Sequence, residues 1–148
     1  MRRRPGRVVA AMVIAAALAG CGPAGTAPPV PAVREDTAPI QKRVTNIGDR
    51  FTVRWVGGAL GDERVPGPNA SWIDAVVTVG DAAAVSALRA ALGPSGVEAR
   101  PAVAAALGDP GAGMTSAGLD AFVAVEPGTV RAFLQPERGV LVVKYFRG

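Results

Sequence analysis

Residues 72–93, WIDAVVTVGDAAAVSALRAALG, carry two different hydrophobic periods in one short stretch. Apolar and polar residues alternate in its first half, which predicts a β-strand with one apolar face. Gly80 and Asp81 then change the period, because the apolar residues that follow lie three or four positions apart, as on one face of a helix. Asp81 can cap the start of that helix, and Gly93 ends it. The residues that carry the two periods are Ile73, Ala75, Val77 and Val79 for the strand and Val85, Leu88 and Leu92 for the helix.

Further strands are predicted on both sides of this stretch. Residues 51–55 alternate in the same way, and residues 57–71 predict a long loop between the two strands. Near the C-terminus, residues 130–134 and 140–146 flank a turn that ends in glycine, which predicts a β-hairpin.

The segments between the helix and the hairpin are less regular. Residues 101–107 predict a second, shorter helix, with Pro101 in its first turn and Val103 and Leu107 on one face. Residues 119–125 favour a strand over a short helix. Together these elements predict an α+β fold, a mainly antiparallel sheet of roughly four or five strands with two helices packed on one face.

The N-terminal segment is built like an export signal. An arginine cluster at positions 2–7 precedes an apolar run at 8–18, which is too short for a membrane-spanning helix of about 20 residues. The run leads directly to LAGC, which contains the only cysteine of the chain. This tetrapeptide resembles the lipobox of bacterial lipoproteins, and its residues are Leu18, Ala19, Gly20 and Cys21.

The resemblance implies that residues 1–20 are removed as a signal peptide and that Cys21 carries fatty acyl chains such as palmitate. Two or three such chains hold a protein stably on a bilayer, here on the extracytoplasmic side of the cell membrane. Fourteen arginines against two lysines are typical of a GC-rich genome, which together with the lipobox suggests a high-GC Gram-positive bacterium. One alternative stays open: residues 17–19 also fit an ordinary signal peptidase, which would cut after Ala19 and leave Cys21 as a free thiol.

Composition changes sharply after the lipobox. Proline and glycine dominate residues 21–40, which predict an extended tether, and residues 41–148 predict a single globular domain. The net charge of +4 comes from the arginines before Cys21, since twelve Lys and Arg and twelve Asp and Glu follow it. These basic residues are scattered among acids along the sequence, which argues against a nucleic-acid partner.

The chain has no histidine, and this excludes catalytic arrangements that move a proton through an imidazole. With its one cysteine lipidated, the sequence predicts no catalytic residue, no metal site and no cofactor. A small hydrolase that uses only carboxylates is an alternative. Its acids would have to converge in the fold from distant positions, namely Asp74, Asp81, Asp120 and Glu126.

The sheet face opposite the predicted core carries the candidate binding residues. Alternation places Arg54, Trp72, Arg131 and Phe133 there, and aromatic and arginine side chains supply much of the energy at recognition surfaces. The alternative is that Trp72 covers the edge of the core and Phe133 lies in a second small cluster. The sequence therefore predicts a lipid-anchored binding module for a protein, cell-wall or small-molecule ligand, or alternatively a structural component of an envelope complex.

Overall fold

The computed structural model describes residues 30–60 and 70–148. The predicted signal peptide, the lipobox with Cys21 and the first part of the predicted tether lie outside these residues. The described residues form six strands: β1 (Phe51–Leu60), β2 (Ala70–Val79), β3 (Val97–Ala99), β4 (Gly113–Thr115), β5 (Thr129–Gln135) and β6 (Val140–Arg147). All six belong to one antiparallel sheet in the order β1-β2-β6-β5-β4-β3.

The described residues also form three α-helices and one short 3-10 helix. They are α1 (Ala38–Gln41), α2 (Ala82–Leu92), α3 (Ala117–Val123) and the 3-10 helix Ala105–Leu107. The Asp81 carboxylate accepts a hydrogen bond of 2.9 Å from the backbone N–H of Ala83, which caps α2 as the sequence predicts. The Ser116 hydroxyl caps α3 in the same way, accepting from the N–H of Leu119 at 3.1 Å.

The main apolar core lies against one side of the sheet, here called the first face. Buried residues from all three α-helices and from alternate positions of β1, β2, β5 and β6 form this cluster. Its least exposed large members are Ile40, Val77, Leu88, Leu119, Val123, Leu134, Leu141 and Val143. None of the helices in the described residues is both long and apolar enough to cross a membrane.

The α+β class and the mainly antiparallel sheet are confirmed, with six strands instead of the four or five predicted. Residues 119–125 were expected as a strand, but α3 occupies most of that segment. Only Ala105–Leu107 of the predicted second helix is helical. Of the predicted loop at 57–71, residues 57–60 belong to β1 and residues 70–71 to β2, and the remaining part lies outside the described residues.

The domain also begins earlier than the predicted boundary at residue 41. Ile40 is 1% exposed and belongs to the main core. Further upstream, the backbone N–H and C=O of Arg34 both bond to Trp55 of the edge strand β1, each at 2.8 Å. The segment from Arg34 onward is therefore part of the domain rather than of a tether.

Candidate functional site

The second face of the sheet, opposite the main core, is partly covered by the chain itself. Residues 100–109, here called the strap, cross this face, and the 3-10 helix within the strap lies against β1. Beneath the strap, Phe133, Val140 and Val142 form a small buried cluster on which Val103 packs. The predicted open sheet face is therefore closed over much of its middle.

Polar contacts hold the strap to the sheet. Asp74 is 7% exposed, and its carboxylate accepts from the backbone N–H of Ala104 at 2.8 Å and from Lys144 Nζ at 2.9 Å. Lys144 Nζ also donates to the carbonyl of Ala102. A carboxylate buried at this depth requires such partners, since an unpaired charge would be strongly destabilising there. The buried Asp74 and the partly exposed Lys144 thus form a polar junction between sheet and strap.

An exposed ion pair joins the first and last residues of the strap. Arg100 and Asp109 are paired, and Asp109 also accepts from the backbone N–H of Gly111 at 2.8 Å. The Gly111 hydrogen bond, with the Arg100 charge in addition, holds the pKa of Asp109 below its ordinary value, although partial desolvation opposes this shift.

The structure separates the four residues predicted to form a binding face. Phe133 is 7% exposed and lies in the small cluster under the strap, which confirms the alternative position considered for it and removes it from an exposed surface. Arg54 is exposed but lies on β1, three strand positions from Arg131 on β5. At a strand spacing of about 4.8 Å, this places their backbones at least roughly 14 Å apart.

Trp72 and Arg131 do come together. They line an open groove of about 370 Å³ beside the strap, with Asp74, Lys144 and Phe146, here called the Trp72 groove. Trp72 lies directly opposite Phe146 in the β2–β6 register. Gly58 on β1 leaves room for the indole, because a Cβ there would lie 3.3 Å from Trp72 Nε1.

Phe146 is the member of this groove that sequence reasoning missed. It is 45% exposed, one of the few large apolar residues exposed in the described chain. Its signal was present in the alternation of β6, where Val142, Lys144 and Phe146 share the face opposite Leu141 and Val143. The predicted pairing of the C-terminal hairpin did not give the β2–β6 register, so Trp72 could not be matched to Phe146.

The charges around the groove are paired on both sides. Lys144 contacts Asp74, and Arg131 Nε lies 3.4 Å from Asp120 Oδ2, with 66% of the Arg131 side chain exposed. Asp120 also accepts at 2.7 Å from the N–H of Ala132. The groove therefore offers aromatic surface flanked by fixed cationic groups, an arrangement suited to stacking and hydrogen bonding.

Three of the four acids considered for a hydrolase have structural partners. Asp74 and Asp120 each hold a backbone N–H and a cation, and Asp81 caps α2. Within residues 30–60 and 70–148, no three carboxylates or other metal-binding side chains are grouped closely enough to hold a metal ion. These contacts give Asp74, Asp81 and Asp120 structural roles and do not by themselves indicate a catalytic role for them.

The chain matches no protein-family model, no curated protein and no solved structure at a significant level. The geometry of its own residues therefore carries the functional inference.

Proposed function

We propose that this protein is a binding module anchored by lipid on Cys21 to the outer face of the cell membrane, and that it holds its ligand in the Trp72 groove. The anchor is supported by the export signal and by the match of LAGC to a lipobox. The ligand is a protein, a cell-wall component or a small molecule, and no catalytic step is part of the proposal.

One observation carries the binding role. A half-buried tryptophan and an exposed phenylalanine lie side by side at one end of the interior strands β2 and β6, with Arg131 and Lys144 beside them. Exposed aromatic residues with arginine are enriched at the energetic centres of interfaces. The sheet fixes their spacing, so binding does not require the ordering of a loop.

Site-specific photocrosslinking in intact cells tests the groove. We expect benzoylphenylalanine in place of Phe146 to give a discrete adduct, detectable by a mass increase of the purified protein. The adduct should be lost when Trp72→Ala or Arg131→Gln is added. The matched control carries the same probe at Ala87, which is exposed on α2. Identical adducts from both positions, or adducts that survive Trp72→Ala, would contradict the proposal.

The anchor has its own test. The wild-type protein should incorporate labelled fatty acid and sediment with membranes, and Cys21→Ser should do neither. The mass of the mature N-terminus separates the two cleavage routes, because the lipoprotein route starts the chain at acylated Cys21 and the alternative route starts it at Gly20. Equal membrane association of wild type and Cys21→Ser would exclude the anchor.

A further inference from the structure

A second hollow, of about 500 Å³, lies where the N-terminal segment meets the ends of β1 and β2, and we refer to it as the basic hollow. Three cations line it, Arg34 and the adjacent residues Lys42 and Arg43, together with one acid, Asp36. The strand residues Gly57 and Gly58 contribute only backbone to its wall. At Gly57 a side chain is excluded, because a Cβ would lie 2.7 Å from the carbonyl oxygen of Trp72.

Both arginines are held against buried aromatic rings. The Arg34 guanidinium lies 5.0 Å from the ring centre of Trp55, and the Arg43 guanidinium lies 5.6 Å from that of Tyr145. Trp55 and Tyr145 are 4% and 5% exposed, so each ring is a fixed support. Cation–π stacking of this kind restricts an arginine without using up its hydrogen-bond donors.

The backbone and side chains around the arginines add to this rigidity. Arg34 is bonded to Trp55 through both of its backbone groups, and Trp55 Nε1 donates to the carbonyl of Asp36 at 3.0 Å. Arg43 donates from one terminal nitrogen to the carbonyl of Pro39 at 2.9 Å. Two guanidinium groups are thereby positioned before any ligand arrives, which lowers the entropic cost of binding.

The described residues compensate the charge of the basic hollow only in part. Among the described residues, the ion pairs involve none of Arg34, Lys42 and Arg43. Asp36 balances one of the three positive charges in the lining, which leaves a surplus of two. A volume of about 500 Å³ is within the usual range of roughly 300–1,000 Å³ for small-ligand sites.

From this arrangement we propose that the basic hollow binds a phosphate group. Guanidinium groups match phosphate oxygens with paired hydrogen bonds, and the surplus of positive charge favours an anionic ligand over a neutral one. A compact group of three cations also differs from the extended basic surface required by a nucleic acid. The site is separate from the Trp72 groove and does not depend on the function proposed there.

Two sources could supply the phosphate. One is a soluble phosphorylated compound and the other is the headgroup of an anionic lipid. The second is within reach if Cys21 is anchored, because Arg34 follows Cys21 by thirteen residues, which span at most about 45 Å when fully extended.

The test is calorimetric titration of the full chain, purified in a neutral maltoside detergent, with inorganic pyrophosphate. We expect saturable binding that weakens about tenfold in Lys42→Gln and at least as much in Arg34→Gln and Arg43→Gln, because each removes a charge-assisted contact. Arg54→Gln is the matched control, since it makes the same charge change at an exposed arginine in a different hollow. It should leave the affinity within about twofold of wild type.

Lys42→Gln keeps the test decisive if the arginine variants unfold, because Lys42 is exposed, follows α1 and stacks on neither core ring. Thermal melting of each variant identifies those that stay folded. Absence of pyrophosphate binding by the wild type would overturn the proposal. An equal loss of affinity in Arg54→Gln and Lys42→Gln would also overturn it, since it would show that only net charge matters.

A second arm separates the two sources. The titration is repeated in mixed micelles that contain phosphatidylglycerol or, as the control, phosphatidylcholine. Competition with pyrophosphate by phosphatidylglycerol alone assigns the site to a lipid headgroup, and absence of competition assigns it to a soluble phosphate compound. Equal competition by both lipids would contradict recognition of the phosphate group by its charge.

Discussion

The two faces of the sheet are covered in different ways. On the first face, residues of the α-helices and the strands share one large cluster of buried apolar side chains, and Asp120 of α3 also accepts from the N–H of Ala132. On the second face, an irregular strap covers a cluster of three buried residues and is held by Asp74 and Lys144. A helix satisfies its own backbone, whereas an extended segment needs partners for its N–H and C=O groups. An extended cover of this kind therefore depends more on polar contacts with the sheet than a helical cover does.

The two faces should differ most in how much free energy of unfolding is lost when a buried valine of β6 is shortened to alanine. Val143 is 1% exposed in the main core, and Val142 is 0% exposed under the strap. We expect Val143→Ala to lower the free energy of unfolding by about 2–3 kcal/mol and Val142→Ala by about 1–2 kcal/mol, because the strap can settle into the space left behind while the helices cannot. Denaturant unfolding measures both. Equal losses would show that the strap is as rigid as the helical layer.

The same contrast explains which elements could be predicted from the sequence. The start and end of α2 follow from Asp81, Gly93 and the helical spacing between them, all of which are local. In α3, Leu119 and Val123 also carry helical spacing, and the cap at Ser116 was the missing signal. Strands β3 and β4 are three residues each and depend on pairing with distant strands, so no local pattern marks them.

The strap shows why a correct pattern can predict the wrong structure. Val103 and Leu107 have helical spacing, but the N–H of Ala104 bonds to Asp74, thirty positions away. A long-range hydrogen bond thus takes a donor that a helix would use. Alternation along each strand is also a local pattern, and it placed Trp72 and Arg131 on the correct face of the sheet. Whether that face is open depends on the strap and on the strand register, which are long-range features.

The junction between strap and sheet gives the next prediction. Asp74→Ala should lower the free energy of unfolding by about 1–2 kcal/mol, because the Ala104 N–H loses its partner, while the partly exposed Lys144 can turn toward water. Hydrogen exchange should accelerate at residues 100–109 more than in α2. Glu137→Ala is the control, since it removes an exposed ion pair with Arg89 and should change stability by less than about 0.5 kcal/mol. Unchanged protection of the strap in Asp74→Ala would contradict the role of this junction.

The smallest expected effect is at the exposed end of the strap, and it depends on pH. Folding lowers the pKa of Asp109 below its ordinary value of 3.8. The stability that Asp109 contributes is therefore present above pH 3.8 and is lost as the pH falls through the folded pKa. The amide resonance of Gly111 should report this titration by NMR, and Asp109→Asn should abolish it. Arg100→Gln should raise the pKa only part of the way toward 3.8, because the Gly111 hydrogen bond, the largest single cause of the lowered pKa, remains. Full recovery of the ordinary value in Arg100→Gln would instead show that the ion pair, rather than the turn after the strap, sets the charge of Asp109.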